Sequence, residues 1–113
     1  GAQAIASILK THSKTLHTIC LSCNPIGDEG AVALANAIKE SSDSSSLRKL
    51  RLGGCNIGNA GAVALADALG HSSLQVLRLS SNSITNLGAI ALARNGLTSS
   101  NNNNNNNLKC LYL

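Results

Sequence analysis

Apolar and polar residues recur in the same order along the whole chain. Each copy of the pattern opens with a leucine, at Leu16, Leu47, Leu74 and Leu108. If that leucine is position 0, positions 0, 3 and 5 are apolar in every copy. The alternation at positions 3 and 5 predicts a β-strand with one buried face. Stacked copies of such a unit predict a solenoid, in which each repeat packs on its neighbours.

The second part of each copy predicts an amphipathic helix. Positions 15, 18 and 19 are apolar in each copy and position 22 in the first two, as in Ala31, Leu34, Ala35 and Ile38, and this spacing marks one helix face. In the third copy Gly96 stands at position 22. Glycine recurs at position 14, inside the first helical turn, although it costs about 1 kcal/mol there relative to alanine. We therefore expect close backbone packing at these glycines, which are Gly30, Gly61 and Gly88.

Polar residues at two further positions are expected to satisfy backbone groups. Position 12 holds residue types that favour helix N-caps, so we predict that each caps its own helix. These residues are Asp28, Asn59 and Asn86. At position 8, a small side chain can turn inward and bond the bend after the strand. The residues at position 8 are Asn24, Cys55 and Asn82.

The pattern LxxLxLxx(N/C)xI, followed by an alanine-rich helix, resembles the leucine-rich repeat family. The wording G-A-x-A-L-A at 30–35, 61–66 and 88–93 is similar to the ribonuclease-inhibitor-like subclass, as in NOD-like receptors and the Ran GTPase-activating protein. This resemblance implies an α/β solenoid, a horseshoe segment with parallel β-strands on the concave face and α-helices on the convex face. The copies here are 31, 27 and 34 residues apart, whereas the family's usual spacing is 28 or 29.

We expect one leucine-rich repeat domain over residues 1–113, as a fragment of a longer array. Its parts are a partial repeat at 1–15, repeats at 16–46, 47–73 and 74–107, and a truncated repeat at 108–113. The added residues fall at 39–46 and 98–107, and the second stretch contains unbroken asparagine from 101 to 107. Such polar, low-complexity tracts predict flexible loops. The asparagine run is either a tolerated insertion or a means of association.

Charge is distributed unevenly between the two predicted faces. Positions 1, 2 and 4 of the strands should face outward, and they hold five of the nine Lys and Arg residues. All five acidic residues fall on the helix side or its loops, and the net charge is +4. This distribution favours an acidic partner at the concave face. The predicted partner-binding residues are Arg48, Lys49, Arg51, Gln75, Arg78, Lys109 and Tyr112.

The sequence contains no pattern for a metal site, a cofactor or catalysis. Cys20 and Cys23 have CxxC spacing, but a second ligand pair is missing. There is no P-loop, GxSxG or HExxH motif, so we do not expect an enzyme. We predict free thiols in a reducing compartment, and the absence of a glycosylation sequon also favours a cytoplasmic protein. No stretch is apolar and long enough for a membrane span.

These observations favour a non-catalytic protein-interaction module within a larger sensor or scaffold protein, and such a module can belong to a large assembly. The alternative, implied by the resemblance, is a regulator of a small GTPase similar to the Ran activator. Nucleic-acid binding is less favoured, because Tyr112 is the single aromatic residue and single strands stack on aromatic side chains.

Overall fold

The computed structural model of the protein describes residues 2–12, 14–40, 46–70, 72–97 and 110–113. Helices and strands alternate along these residues, as the repeating pattern predicts. In chain order they are α1 (Ala2–Thr11), β1 (Thr18–Cys20), α2 (Gly27–Glu40), β2 (Lys49–Arg51), α3 (Asn59–Leu69), β3 (Val76–Arg78), α4 (Asn86–Leu97) and β4 (Cys110–Tyr112).

The strands form one parallel sheet in the order β1-β2-β3-β4, and the helices pack on one another in the same order. The register pairs equal repeat positions throughout. Position 3 aligns Ile19, Leu50, Leu77 and Leu111 across the four strands. Because each strand connects to its parallel neighbour through a helix, the result is an α/β leucine-rich repeat solenoid, as predicted.

The core lies between the sheet and the helices. The leucines at positions 0, 3 and 5 of the repeats that contain β2 and β3 are buried, and so are all the predicted apolar face residues of α2 and α3. Cys55 is fully buried at position 8, and its Sγ donates a hydrogen bond to the Leu21 carbonyl at 3.1 Å. Among the described residues, aliphatic side chains and the Cys55 thiol fill this core, with no buried aromatic ring.

Asn82 shows how position 8 joins two repeats. Its side-chain nitrogen donates to the carbonyls of Leu52 and Leu79, at 2.8 Å each. Its side-chain oxygen accepts from the backbone N–H groups of Cys55 at 2.9 Å and Ile57 at 3.0 Å. The inward-turned side chain was predicted correctly, but three of its four partners belong to the preceding repeat.

The prediction that position 12 caps its own helix is wrong for α3. The N-cap of α3 is Gly58, which makes no side-chain cap hydrogen bond. Instead, one carboxylate oxygen of Asp28 in α2 accepts from the N–H groups of Gly58 and Gly61, both at 2.8 Å. In the same way, the side-chain oxygen of Asn59 in α3 accepts from the backbone N–H groups of Thr85 and Gly88 at the start of α4. The capping group therefore comes from the preceding repeat, because adjacent helices start side by side.

The glycines at position 14 create the space for these contacts. A Cβ at Gly61 would lie 2.7 Å from Asp28 Oδ1 and 2.9 Å from the Ala31 Cβ. A Cβ at Gly88 would lie 2.8 Å from Asn59 Oδ1. All three distances are shorter than a Cβ tolerates, so the prediction of close backbone packing is confirmed at Gly61 and Gly88.

The first predicted loop is shorter than the sequence indicated. Lys39 and Glu40, which were assigned to the loop at 39–46, are the last residues of α2. Lys39 Nζ lies 2.6 Å from Asp67 Oδ2 on α3, so it forms an ion pair between neighbouring helices. Residues 41–45 and the predicted loop at 98–107 lie outside the described residues. Within the described part of the chain, no helix combines the length and apolar character needed to cross a membrane.

Candidate protein-binding face

The side of the sheet that faces away from the helices carries the predicted binding residues. We call this surface the sheet face and define it by positions 1, 2 and 4 of each repeat. Its described cations are Arg48, Lys49, Arg51 and Arg78. Gln75 is half-buried and Tyr112 is exposed on the same surface. Lys109, the remaining predicted residue, lies outside the described residues.

Position 4 forms a continuous row across the sheet. The register aligns Cys20 with Arg51, Arg51 with Arg78, and Arg78 with Tyr112. Neighbouring backbones in such a sheet are about 4.8 Å apart. The row, which we call the position-4 row, therefore brings an exposed thiol, two guanidinium groups and a phenol together along one line.

Arg78 stacks on the one aromatic ring of the chain. Its Cζ lies 4.8 Å from the centroid of the Tyr112 ring, within the range of a cation–π interaction. The contact holds the guanidinium over β4 without neutralising its charge. Arg and Tyr are also residue types that dominate binding energy at protein interfaces.

Arg51 is less exposed on the sheet face than Arg78. It is half-buried, and its Nε is buried without a hydrogen-bond partner. A buried donor without an acceptor costs free energy, about 1–3 kcal/mol for a typical group. An acceptor supplied from outside, such as a carboxylate on a partner, would recover part of this cost.

The remaining two cations of the sheet face, Arg48 and Lys49, also have no acidic partner among the residues that the structure describes. Lys49 is exposed, and Arg48 is half-buried with Nη1 donating to the Leu47 carbonyl at 3.4 Å. Among the described residues, none of the sheet-face cations forms a salt bridge. The described acidic residues all belong to the helix layer, namely Asp28, Glu29, Glu40 and Asp67. The described surface is therefore basic on the sheet face and acidic on α2 and α3.

The thiols divide according to burial. Cys20 and Cys23 are exposed, Cys110 is half-buried and Cys55 is buried, and all four are free. In the described residues, His, Cys, Asp and Glu side chains form no group that could hold a metal ion. Cys20 and Cys55 thus have the outward and inward placements that their repeat positions predict.

Two contacts were not anticipated from the sequence. The stacking of Arg78 on Tyr112 could have been suspected, because both residues occupy position 4 of consecutive repeats. The bonds from Asp28 and Asn59 to the following repeat have a weaker signal, namely a polar acceptor at position 12 two residues before each glycine at position 14.

The sequence matches the family described as Leucine Rich repeat over residues 12–35, 43–66 and 70–93. The chain belongs to the leucine-rich repeat family. Each matched segment covers one strand and the first part of the helix that follows it. Repeats of this family generally mediate protein–protein interactions. A comparison with curated proteins gave no match.

Proposed function

We propose that this leucine-rich repeat segment binds an acidic protein surface through its sheet face, without catalysing a reaction. The observation that carries this proposal is the set of four sheet-face cations that have no carboxylate partner among the described residues. On most protein surfaces, Lys and Arg side chains are interspersed with acidic ones. Here the described acidic side chains lie in the helix layer instead.

The position-4 row would provide the centre of the interface. Arg51 and Arg78 are aligned on adjacent strands, and like charges placed opposite each other destabilise a sheet slightly. Carboxylates of a partner would relieve this repulsion and accept charge-assisted hydrogen bonds from both guanidinium groups. Tyr112 would add apolar contact area beside Arg78.

Arg48, Lys49 and Gln75 would contribute mainly around this centre. Lys49 is exposed, so it would attract an acidic partner at long range and accelerate association more than it strengthens the complex. Gln75 offers an amide that can donate and accept hydrogen bonds beside the cations. Lys109 follows the same repeat position as Arg48 and would extend the basic surface toward β4.

We further infer the setting of such a module. The G-A-x-A-L-A motif supports the ribonuclease-inhibitor-like subclass. The four free thiols support a reducing, cytoplasmic compartment. A binding segment of this kind would act in a larger sensor or scaffold protein. The presence or absence of a nucleotide-binding domain in the full-length protein would distinguish a sensor from a scaffold.

A capture experiment with three immobilised proteins tests the proposal. They are the wild type, the sheet-face variant Arg51→Glu/Arg78→Glu, and the helix-layer variant Lys39→Glu/Arg94→Glu, which carries the same change in charge. Circular dichroism first establishes that all three are folded. We expect acidic proteins to be retained by the wild type and the helix-layer variant and lost from the sheet-face variant. Equal retention by all three would place recognition elsewhere.

A further inference from the structure

Cys20 stands at the end of the position-4 row and is exposed. It is aligned with Arg51 on the adjacent strand, and its Sγ lies 3.8 Å from the Ser22 Oγ. A second exposed thiol, Cys23, lies in the turn that follows β1. Cys20 is therefore part of a group that also contains a hydroxyl, a guanidinium and another thiol.

The surroundings of Cys20 favour its thiolate form. The backbone N–H of Ser22, the Ser22 hydroxyl and the positive charge of Arg51 all lower the pKa of the Cys20 thiol, the backbone contribution being the largest. Cys55 is the internal contrast, because burial raises the pKa of its thiol. The thiolate is the form that attacks disulfides, so these two cysteines should differ strongly in reactivity.

The charges around Cys20 also determine which kind of molecule can approach its thiol. Arg51 has a buried Nε without a hydrogen-bond partner, and Arg78 follows it in the same row. No acidic side chain of the described residues lies on the sheet face. A molecule that approaches Cys20 across the sheet therefore meets positive charge, which attracts anions and repels cations.

We propose that Cys20 is a modification site that exchanges with carboxylate-bearing, low-molecular-weight disulfides, with Arg51 binding the carboxylate. The Cys20 thiol first loses its proton to water. The thiolate sulfur then attacks one sulfur of the disulfide, and a new bond forms between them. The original sulfur–sulfur bond breaks, and its electron pair leaves on the departing thiolate. The modified protein carries an added anionic group on the sheet face.

The test compares two reagents of opposite charge, dithiodiglycolate with two carboxylates and cystamine with two ammonium groups. The protein is Cys23→Ser/Cys110→Ser, which retains Cys20 and the buried Cys55. Serine is compatible with the backbone at residue 23, because Ser81 occupies the equivalent position with φ 62°, close to 66° at Cys23. Mass spectrometry follows the reaction, and each rate is divided by that of the same reagent with N-acetylcysteinamide.

We expect the normalised rate with dithiodiglycolate to exceed that with cystamine by at least about tenfold. Arg51→Gln should reduce this preference by about threefold or more. Lys49→Gln, which removes a cation from the same strand outside the position-4 row, should change it by less than about twofold. Cys20→Ser should abolish the reaction, and Ser22→Ala should slow it with both reagents.

Equal normalised rates for the two reagents would overturn the proposal, as would equal effects of Arg51→Gln and Lys49→Gln. Peptide mapping of the unsubstituted protein provides a second check. Modification found mainly at Cys23 or Cys110 would also contradict the assignment. Since no protein partner is present in these assays, their outcome is independent of whether the sheet face binds an acidic protein.

Discussion

Two sets of polar side chains run along the solenoid, and they differ in how their atoms are used. Asp28, Asn59 and Asn82, which we call the inter-repeat acceptors, each bind two backbone N–H groups of an adjacent repeat at 2.8–3.0 Å. In the position-4 row, by contrast, Arg51 and Arg78 have no carboxylate partner in the part of the chain that the structure describes. Both sets recur from repeat to repeat, so recurrence alone does not separate a structural role from a binding role.

The two roles are separated by whether the polar side chains of a set already have partners among the described residues. The inter-repeat acceptors fix the stacking of one repeat on the next, because they satisfy helix starts and bends that the backbone leaves unpaired. The arginines of the position-4 row form no salt bridge within the described residues, so we expect this row to contribute less to the fold and to keep its charge available. We therefore expect substitutions in the first set to change stability, and substitutions in the second set to change binding.

The largest effect is expected for Asn82→Ala. This substitution removes four hydrogen bonds and leaves the N–H groups of Cys55 and Ile57 without an acceptor. Unsatisfied buried groups are costly, so the free energy of unfolding should fall by about 3 kcal/mol or more. Asn24→Ala is the matched control, because the exposed Asn24 side chain bonds only carbonyls of its own turn. Equal losses in urea unfolding would contradict the inter-repeat role of Asn82.

The second-largest effect is expected on the affinity for an acidic partner. Arg51→Glu/Arg78→Glu should weaken the complex with an acidic partner on the order of 100-fold, because it replaces attraction with repulsion at the centre of the interface. Calorimetric titration gives the affinity. The same variant should unfold within about 1 kcal/mol of the wild type, because it loses the Arg78–Tyr112 stack, and a cation–π contact at an exposed site contributes about 0.5–1 kcal/mol. A large loss of stability would mean that the position-4 row also supports the fold.

Gly61→Ala should have an intermediate effect on stability. The added Cβ would lie 2.7 Å from Asp28 Oδ1 and 2.8 Å from the Ile57 Cγ2. Overpacking of this kind costs about 1–3 kcal/mol, and the better helix propensity of alanine offsets about 1 kcal/mol. We expect a net loss of up to about 2 kcal/mol in thermal or urea unfolding.

Gly70→Ala provides the control for Gly61→Ala. Gly70 follows α3 with φ −70°, and its nearest neighbour to a Cβ is the Asp67 carbonyl at 3.8 Å. Alanine can adopt this conformation without a clash, so the stability should stay the same or rise slightly. If both glycine variants lose stability equally, the close contact at Gly61 is not the cause.

The smallest effect is expected for Lys39→Met. The Lys39–Asp67 pair joins α2 to α3 with N and O 2.6 Å apart, but its side chains are 37% and 60% exposed. An exposed pair of this kind contributes about 0.5 kcal/mol or less, and salt screens it. The difference in the free energy of unfolding between the variant and the wild type should therefore disappear in 1 M sodium chloride, where the Debye length is about 3 Å. A salt-independent difference would indicate a packing role for the Lys39 stem.

Much of the architecture could be predicted, because the repeat fixes which positions meet. Once Leu50 and Leu77 have the same repeat position, a parallel sheet in that register follows, and with it the alignment of Arg51 with Arg78. The buried faces of α2 and α3 followed from their spacing. The basic character of the sheet face could be predicted for the same reason, since the described cations lie at outward strand positions. Its role in binding a partner stays a prediction.

The finer contacts could not be predicted from the pattern. The sequence places Asp28 at a helix start, but whether it caps α2 or the next helix depends on how closely the two helices approach. The shared repeat position brings Arg78 beside Tyr112, but whether the two side chains stack also depends on their rotamers. Lys39 and Glu40 were wrongly assigned to a loop, because a polar composition does not mark where the last turn of a helix ends.

The most direct test is to map an acidic ligand onto the protein by amide chemical shifts in nuclear magnetic resonance. An oligoglutamate peptide serves as the probe, and the equivalent oligoglutamine peptide is the control. We predict that oligoglutamate shifts the amides of residues 48–51 and 75–78, leaves those of α2 and α3 unchanged, and loses its effect in Arg51→Glu/Arg78→Glu. Shifts confined to the helices, or equal shifts with oligoglutamine, would contradict recognition through the sheet face.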